Sequence, residues 1–139
     1  MPVQPTQAFH ELSFYTLAHP DRERFIHQHI VDAYTAQTAS EHTKPIGLLY
    51  ALVGLYLTLE RGYTGKEVQR AHLQLARNKT DFPPLFLPAD RGTIKVSDVL
   101  DSPAGEARDA AILRWCEAVW AAYGSCHATV ASYCQQRQV

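Results

Sequence analysis

Between positions 25 and 34 the apolar residues fall at Phe25, Ile26, Ile30, Val31, Ala33 and Tyr34, which is the spacing of one wide helical face. Pro20 follows His19, and Asp21 and Glu23 suit a positive helix start, so a first helix is predicted over residues 20–37. Residues 38–44 read as a loop. Pro45 opens a second helix that is apolar almost all round to about Gly62, the mark of a central helix. Gly47, Ala51, Gly54 and Thr58 share one narrow side of it, where small residues would let a neighbouring helix come close. Thr64 and Glu67 form a capping-box pattern ahead of a third helix ending near Arg77, with Val68, His72 and Leu75 inward.

Pro83, Pro84 and Pro88 then exclude a helix over residues 81–90 and predict an extended run that pins Leu85, Phe86 and Leu87 against the helices. Residues 93–96 are β-prone without a partner strand, and Ser97 suits the start of one helical turn through Leu100. Ser102-Pro103 predicts the start of a last, longest helix to about Gln135, weakened slightly in its middle by Gly124. The pattern thus predicts an all-α fold: an antiparallel bundle of about four main helices with a long Pro-rich third connection. Residues 1–18 are expected as an N-terminal arm or short helix and residues 19–139 as one bundle domain.

Charge narrows the function classes. The formal net charge is −1, so no global basic field exists for a phosphate backbone, and no nucleic acid partner is expected. The longest apolar run, residues 46–59, is short for a bilayer span and carries Tyr50 and Tyr56, so no membrane partner is expected either. Residues 1–7 lack the pattern of a signal peptide, and a cytoplasmic protein is expected. Cys116, Cys126 and Cys134 have no framework spacing and no CxxC pair, which points to small core side chains rather than a disulfide scaffold or a cysteine-only zinc site.

No phosphate loop, dinucleotide fingerprint, nucleophile elbow or zincin spacing is present. His27 and His29 alternate, but in a helix their rings diverge by about 200°, so they should not share a metal. His27 falls on the inward half of the first helix, and Gln37 near the centre of its apolar face, where a polar side chain needs a partner. Glu60 shares a side with Leu49, Val53 and Leu57. His127 follows Trp120 by two turns. Imidazole and carboxylate groups converging between helices are the ingredients of a metal site or of an acid–base site. The plain alternative for each is a hydrogen-bonded structural residue, with Glu60 pairing a neighbour and Gln37 bonding a loop backbone.

These positions also carry a resemblance. The string His27-Gln28-His29-Ile30-Val31-Asp32-Ala33-Tyr34-Thr35-Ala36-Gln37 resembles the opening signature of an uncharacterised bacterial family, domain of unknown function 5946. Leu59-Glu60-Arg61-Gly62 is similar to its second block. Leu85-Phe86-Leu87-Pro88 with Val96-Ser97-Asp98-Val99 is similar to its third, and Trp115, Val119-Trp120 and His127 to its last. The resemblance covers about residues 24–134. It implies a single bacterial domain and brings no established activity, substrate or cofactor. This chain lacks the opening cysteine pair of many members and has Thr38 where many carry histidine.

Two functions are weighed. In the first, His27, Glu60 and His127 ligate a divalent transition metal in a metal-dependent enzyme, with Asp32, Tyr34, Gln37 and Trp120 supporting the ligands or lining the pocket. In the alternative, the chain is a non-enzymatic module for a small-molecule ligand or a protein, its pocket lined by Tyr50, Tyr56, Phe86 and Trp120. The small-residue side of the second helix, or the last helix, could also form a homodimer interface.

Overall fold

The apolar run from Pro45 becomes the middle of the molecule, as an all-round apolar helix must if its surface is to leave water. In a computed structural model, which describes residues 5–18, 24–77 and 82–139, this helix is α3, Pro45–Arg61, with every residue from Leu48 to Leu57 buried except Tyr50. Around it run α1 (Pro5–Ala18), α2 (His27–Thr38), α4 (Gly65–Arg77), α5 (Val96–Asp101), α6 (Glu106–Ala122) and α7 (His127–Gln136), with a 3-10 turn at Gly124–Cys126. The described residues contain no strand. Helix α3 packs on α2, α4, α6 and α7, and α2 packs in turn on α1, α4 and α6. Full burial of side chains such as Leu49, Leu52, Leu55 and Leu57 stabilises the fold by about 2 kcal/mol each.

Helix α1 supplies Ala8, Leu12 and Tyr15 to the same core. The Tyr15 hydroxyl donates to Asp109 Oδ1 (2.8 Å) and accepts from the Gly105 N–H (2.9 Å), tying α1 to the start of α6. The capping box before α4 forms as its residues dictate: Glu67 Oε1 accepts from the Thr64 N–H (3.0 Å), and Thr64 Oγ1 from the Glu67 N–H (3.2 Å).

Three elements differ from the sequence pattern. The predicted helix over 20–37 begins, within the described residues, only at His27: Phe25 holds a left-handed backbone (φ 41°), which no helix can contain. The Pro20 and Asp21 start signals lie outside the described residues. The predicted last helix is two helices. It begins at Glu106, after Gly105, and breaks at Gly124-Ser125, a pair that readily kinks helices. The break is anchored from both sides, because Tyr123 Oη donates to Ala36 O (2.6 Å) and the Cys126 thiol reaches Phe86 O (3.5 Å). Finally, the Pro-rich run is extended, but only Leu85 of its three apolar residues packs on the core; Phe86 is 67% exposed, and Leu87 also faces outward.

Candidate functional site

The three residues proposed as metal ligands are not gathered. His27 is half-buried, and its Nδ1 meets Thr16 Oγ1 at 2.9 Å. That hydroxyl gives its proton to Ser13 O (3.0 Å), so Nδ1 is the donor to it. Glu60 is exposed rather than inward, and its Oε2 accepts from the Trp120 indole N–H at 2.8 Å. His127 stacks on Trp120, ring centroids 3.9 Å apart, and its Nε2 donates to Trp120 O (2.7 Å). This carbonyl lies in the last turn of α6, where helical partners run out, so His127 caps the helix across the kink. Among the described residues no group of three His, Cys, Asp or Glu side chains is placed to hold a metal ion. Glu60 and His127 do converge, but on Trp120, while His27 belongs to the α1–α2 contact.

The supporting residues separate as well. Tyr34 stacks on Phe9 (centroids 4.1 Å apart). Gln37 is a cross-brace: its amide N–H₂ donates to Ile94 O (2.7 Å) and Arg91 O (3.3 Å), and its Oε1 accepts from the buried Trp115 indole (3.0 Å). Trp120 lies in the core against Tyr56. Of the four residues named for an alternative pocket, Phe86 is exposed and Tyr50 stacks on His72 (5.2 Å).

Asp32 stands apart. It is 3% exposed, and Oδ1 accepts from Gln28 Nε2 (3.1 Å) while Oδ2 has no partner. Burial pushes its carboxyl well above the usual carboxylate range, so the neutral acid is strongly favoured. It fits because α3 presents Gly54 there; a Cβ on Gly54 would overlap the Asp32 carboxyl. The small side of α3 is thus the seat of a carboxylic acid from α2.

One turn earlier on α2 lies His29, which the sequence reading set aside in favour of His27. It is 7% exposed, and Thr58 Oγ1 lies 3.3 Å from its Nδ1. Its backbone carbonyl receives the Cys116 thiol of α6 at 3.7 Å. Burial, and then the charge of Arg24, lower its pKa to about 4, so at neutral pH the ring is uncharged. The helix beginning at His27 puts His29, Asp32, Ala33 and Ala36 on its buried side. The signal available in the sequence was the i, i+3 spacing of His29 and Asp32, opposite the small residues Gly54 and Thr58.

His29 and Thr58 also line a cleft of about 230 Å³, walled by Arg24 and Ile26 before α2, Gly62, Tyr63 and Thr64 between α3 and α4, and Leu113 of α6. The rim is firmly built. Gly65 N–H donates to Arg24 O (2.7 Å), a Cβ on Gly65 would collide with the Arg24 and Phe25 carbonyls, and Lys66 Nζ sits 4.8 Å over the Phe25 ring. These contacts hold Phe25 in its left-handed conformation, a cost of about 1–3 kcal/mol that the surroundings must sustain. Other grooves, two of about 500 and 550 Å³ beside Phe82 and Pro83 and one of about 250 Å³ beside Gln74 and Gln136, are larger, but none of these is lined by a buried histidine or carboxylic acid.

The described residues thus form an all-helical protein with a cleft at a helix junction that a buried histidine lines. The chain belongs to a family of unknown function (DUF5946), whose model matches residues 6–124. No curated protein and no solved structure matches it. Among the described residues no helix is long and apolar enough to cross a membrane.

Proposed function

We propose that this chain binds a small molecule in the cleft between the start of α2, the α3–α4 turn and α6, with His29 as its recognition group. The observation that carries the reading is a nearly buried, uncharged imidazole lining a concave site. A hydrogen-bonding group with a shifted proton affinity that lines a cleft is a candidate for binding or catalysis. The neutral ring offers one donor and one acceptor, and Thr58 can accept from or donate to Nδ1, so His29 can meet either kind of ligand atom. One turn behind it, burial shifts the Asp32 carboxyl towards its neutral form. The metal-dependent reading with His27, Glu60 and His127 has no support from the geometry, since those groups serve the α1–α2 contact, the α3–α6 contact and the α6–α7 kink respectively.

The reading is tested by a fragment screen on ¹⁵N-labelled protein. Shifted resonances should cluster at Ile26, His29, Thr58, Tyr63 and Leu113 and vanish in His29→Ala. Fragments that collect only in the grooves beside Phe82 would refute it and move attention to the exposed Phe82, Phe86 and Leu87.

A further inference from the structure

Phe25 is where the sequence pattern and the fold disagree. Its spacing with Ile26, Ile30, Val31 and Tyr34 puts it on one continuous helical face, yet its backbone is left-handed (φ 41°) and α2 starts two residues later. A bulky side chain disfavours that conformation, so a contact from elsewhere in the chain must impose it. That contact is the start of α4. The Gly65 N–H, which as the first of its helix has no acceptor within it, donates to Arg24 O (2.7 Å). Only glycine fits there, because a Cβ would collide with the Phe25 and Arg24 carbonyls. Ile26 is already right-handed (φ −60°, ψ −20°) and packs on the core. Phe25 alone therefore separates the observed backbone from a longer α2.

This latch joins two stretches of the cleft lining. Arg24 and Ile26 form one, and Gly62, Tyr63 and Thr64 the other. The second is held by its own helices: the Tyr63 N–H donates to Leu57 O (3.0 Å), and Thr64 belongs to the capping box of α4. The first is the one that Phe25 can move. We propose that Phe25 is a hinge that gates the cleft. In the latched state it is left-handed, and the Arg24 carbonyl is held on Gly65. In the released state it returns to the right-handed region, and α2 continues back through Ile26 and Phe25. The His29 N–H then passes from Ile26 O to Phe25 O, and the Arg24 backbone swings away from Gly65, opening the way to His29. Local pattern favours the released state and the Gly65 contact favours the latched one, which is the balance a two-state hinge requires.

The test is hydrogen exchange of the ligand-free full chain, with the Gly65 amide read against the core amides of Leu52 and Leu57. Gly65 should open at least tenfold more often than they do. Phe25→Gly, Phe25→Leu and Phe25→Val all remove the ring that lies under Lys66, and they differ in how well they tolerate a left-handed backbone. Opening at Gly65 should rise from glycine to leucine to valine, by about tenfold from glycine to leucine. In Phe25→Val the carbonyl-carbon shifts of positions 25 and 26 should move towards helical values. Equal opening in the glycine and leucine variants would overturn the hinge, and so would a Gly65 amide that exchanges only as slowly as Leu52. The glycine–leucine pair decides the matter alone if the valine variant does not fold. No ligand enters these measurements, so the hinge can fail while the fragment screen succeeds, and the reverse.

Discussion

The two ends of α2 both bury polar side chains against their neighbours, with opposite results. At the C-terminal end the polar atoms are matched. Gln37 uses both ends of its amide, Tyr123 caps Ala36 O, and the Arg91 guanidinium donates to the Gln37 and Ala39 carbonyls. At the N-terminal end they are not. Asp32 leaves one buried oxygen without a partner, and His29 has one long contact and a cleft in front of it. A matched buried network fixes a structure, whereas an unmatched one costs stability and persists where something else uses it. The C-terminal half of α2 is a brace, and the N-terminal half borders the proposed site.

The largest effect expected is steric and falls on the unmatched end. In Gly54→Ala the new methyl group overlaps the Asp32 carboxyl, so that buried side chain or the α2–α3 spacing must shift, costing about 3 kcal/mol in urea unfolding. Adding Asp32→Ala makes room, so the double variant should be less destabilised than the sum of the single ones. Additive losses would mean that the two residues do not meet. At the matched end, Gln37→Leu orphans the buried Trp115 indole and two loop carbonyls at a cost of about 2 kcal/mol. No ligand should recover that loss, which is what separates a brace from a site.

That division explains how much of the molecule was legible beforehand. Helical class, the central α3, the α4 capping box and the extended proline segment follow from local pattern, because each depends on residues close in sequence. The need of Gln37 for a partner was legible; the partners, 54 to 78 positions away, were not. Which side of α2 is buried differs from the sequence reading through helix phase. With a helix assumed from Pro20, His27 reads as inward. The left-handed Phe25 restarts the helix at His27, and His29 and Asp32 become the buried pair. No periodicity announces a left-handed phenylalanine. Its cause lies 40 residues away, in Gly65.

Proton affinity gives a finer separation. His29 titrates near pH 4 when folded and near 6.5 when unfolded, so the unfolded chain binds more protons between these values. Its contribution to stability is present above pH 6.5 and is lost as pH falls towards 4. His27 and His72 are also lowered by burial and add to the same trend. Between pH 7 and 4.5 the urea midpoint of the wild type should therefore lose ground relative to that of His29→Gln. Asp32 acts with the opposite sign. Its raised folded pKa favours the native state below pH 3.8, and that advantage is lost as pH rises towards the folded value. Asp32→Asn keeps the shape without ionising, so it should raise the urea midpoint at pH 8 and leave it nearly unchanged at pH 3. A midpoint that drops at pH 8 would show the carboxylate to be charged and paired in the native state.

The smallest effect belongs to the residues the sequence made most conspicuous. Glu60→Gln keeps an oxygen for the Trp120 indole at an exposed position, so the loss should stay within about 0.5 kcal/mol. His127→Ala removes a ring stacked on Trp120 and the donor to Trp120 O, worth about 1 kcal/mol because water can reach a half-buried kink. Neither substitution should alter binding in the cleft, since both contacts converge on Trp120 and neither residue lines the cleft. Fragment binding that weakens tenfold in His127→Ala would couple the α6–α7 kink to the cleft through α6, which carries Leu113, Cys116 and Trp120 in one continuous helix. In that event α6 would have to be treated as part of the site rather than as its wall.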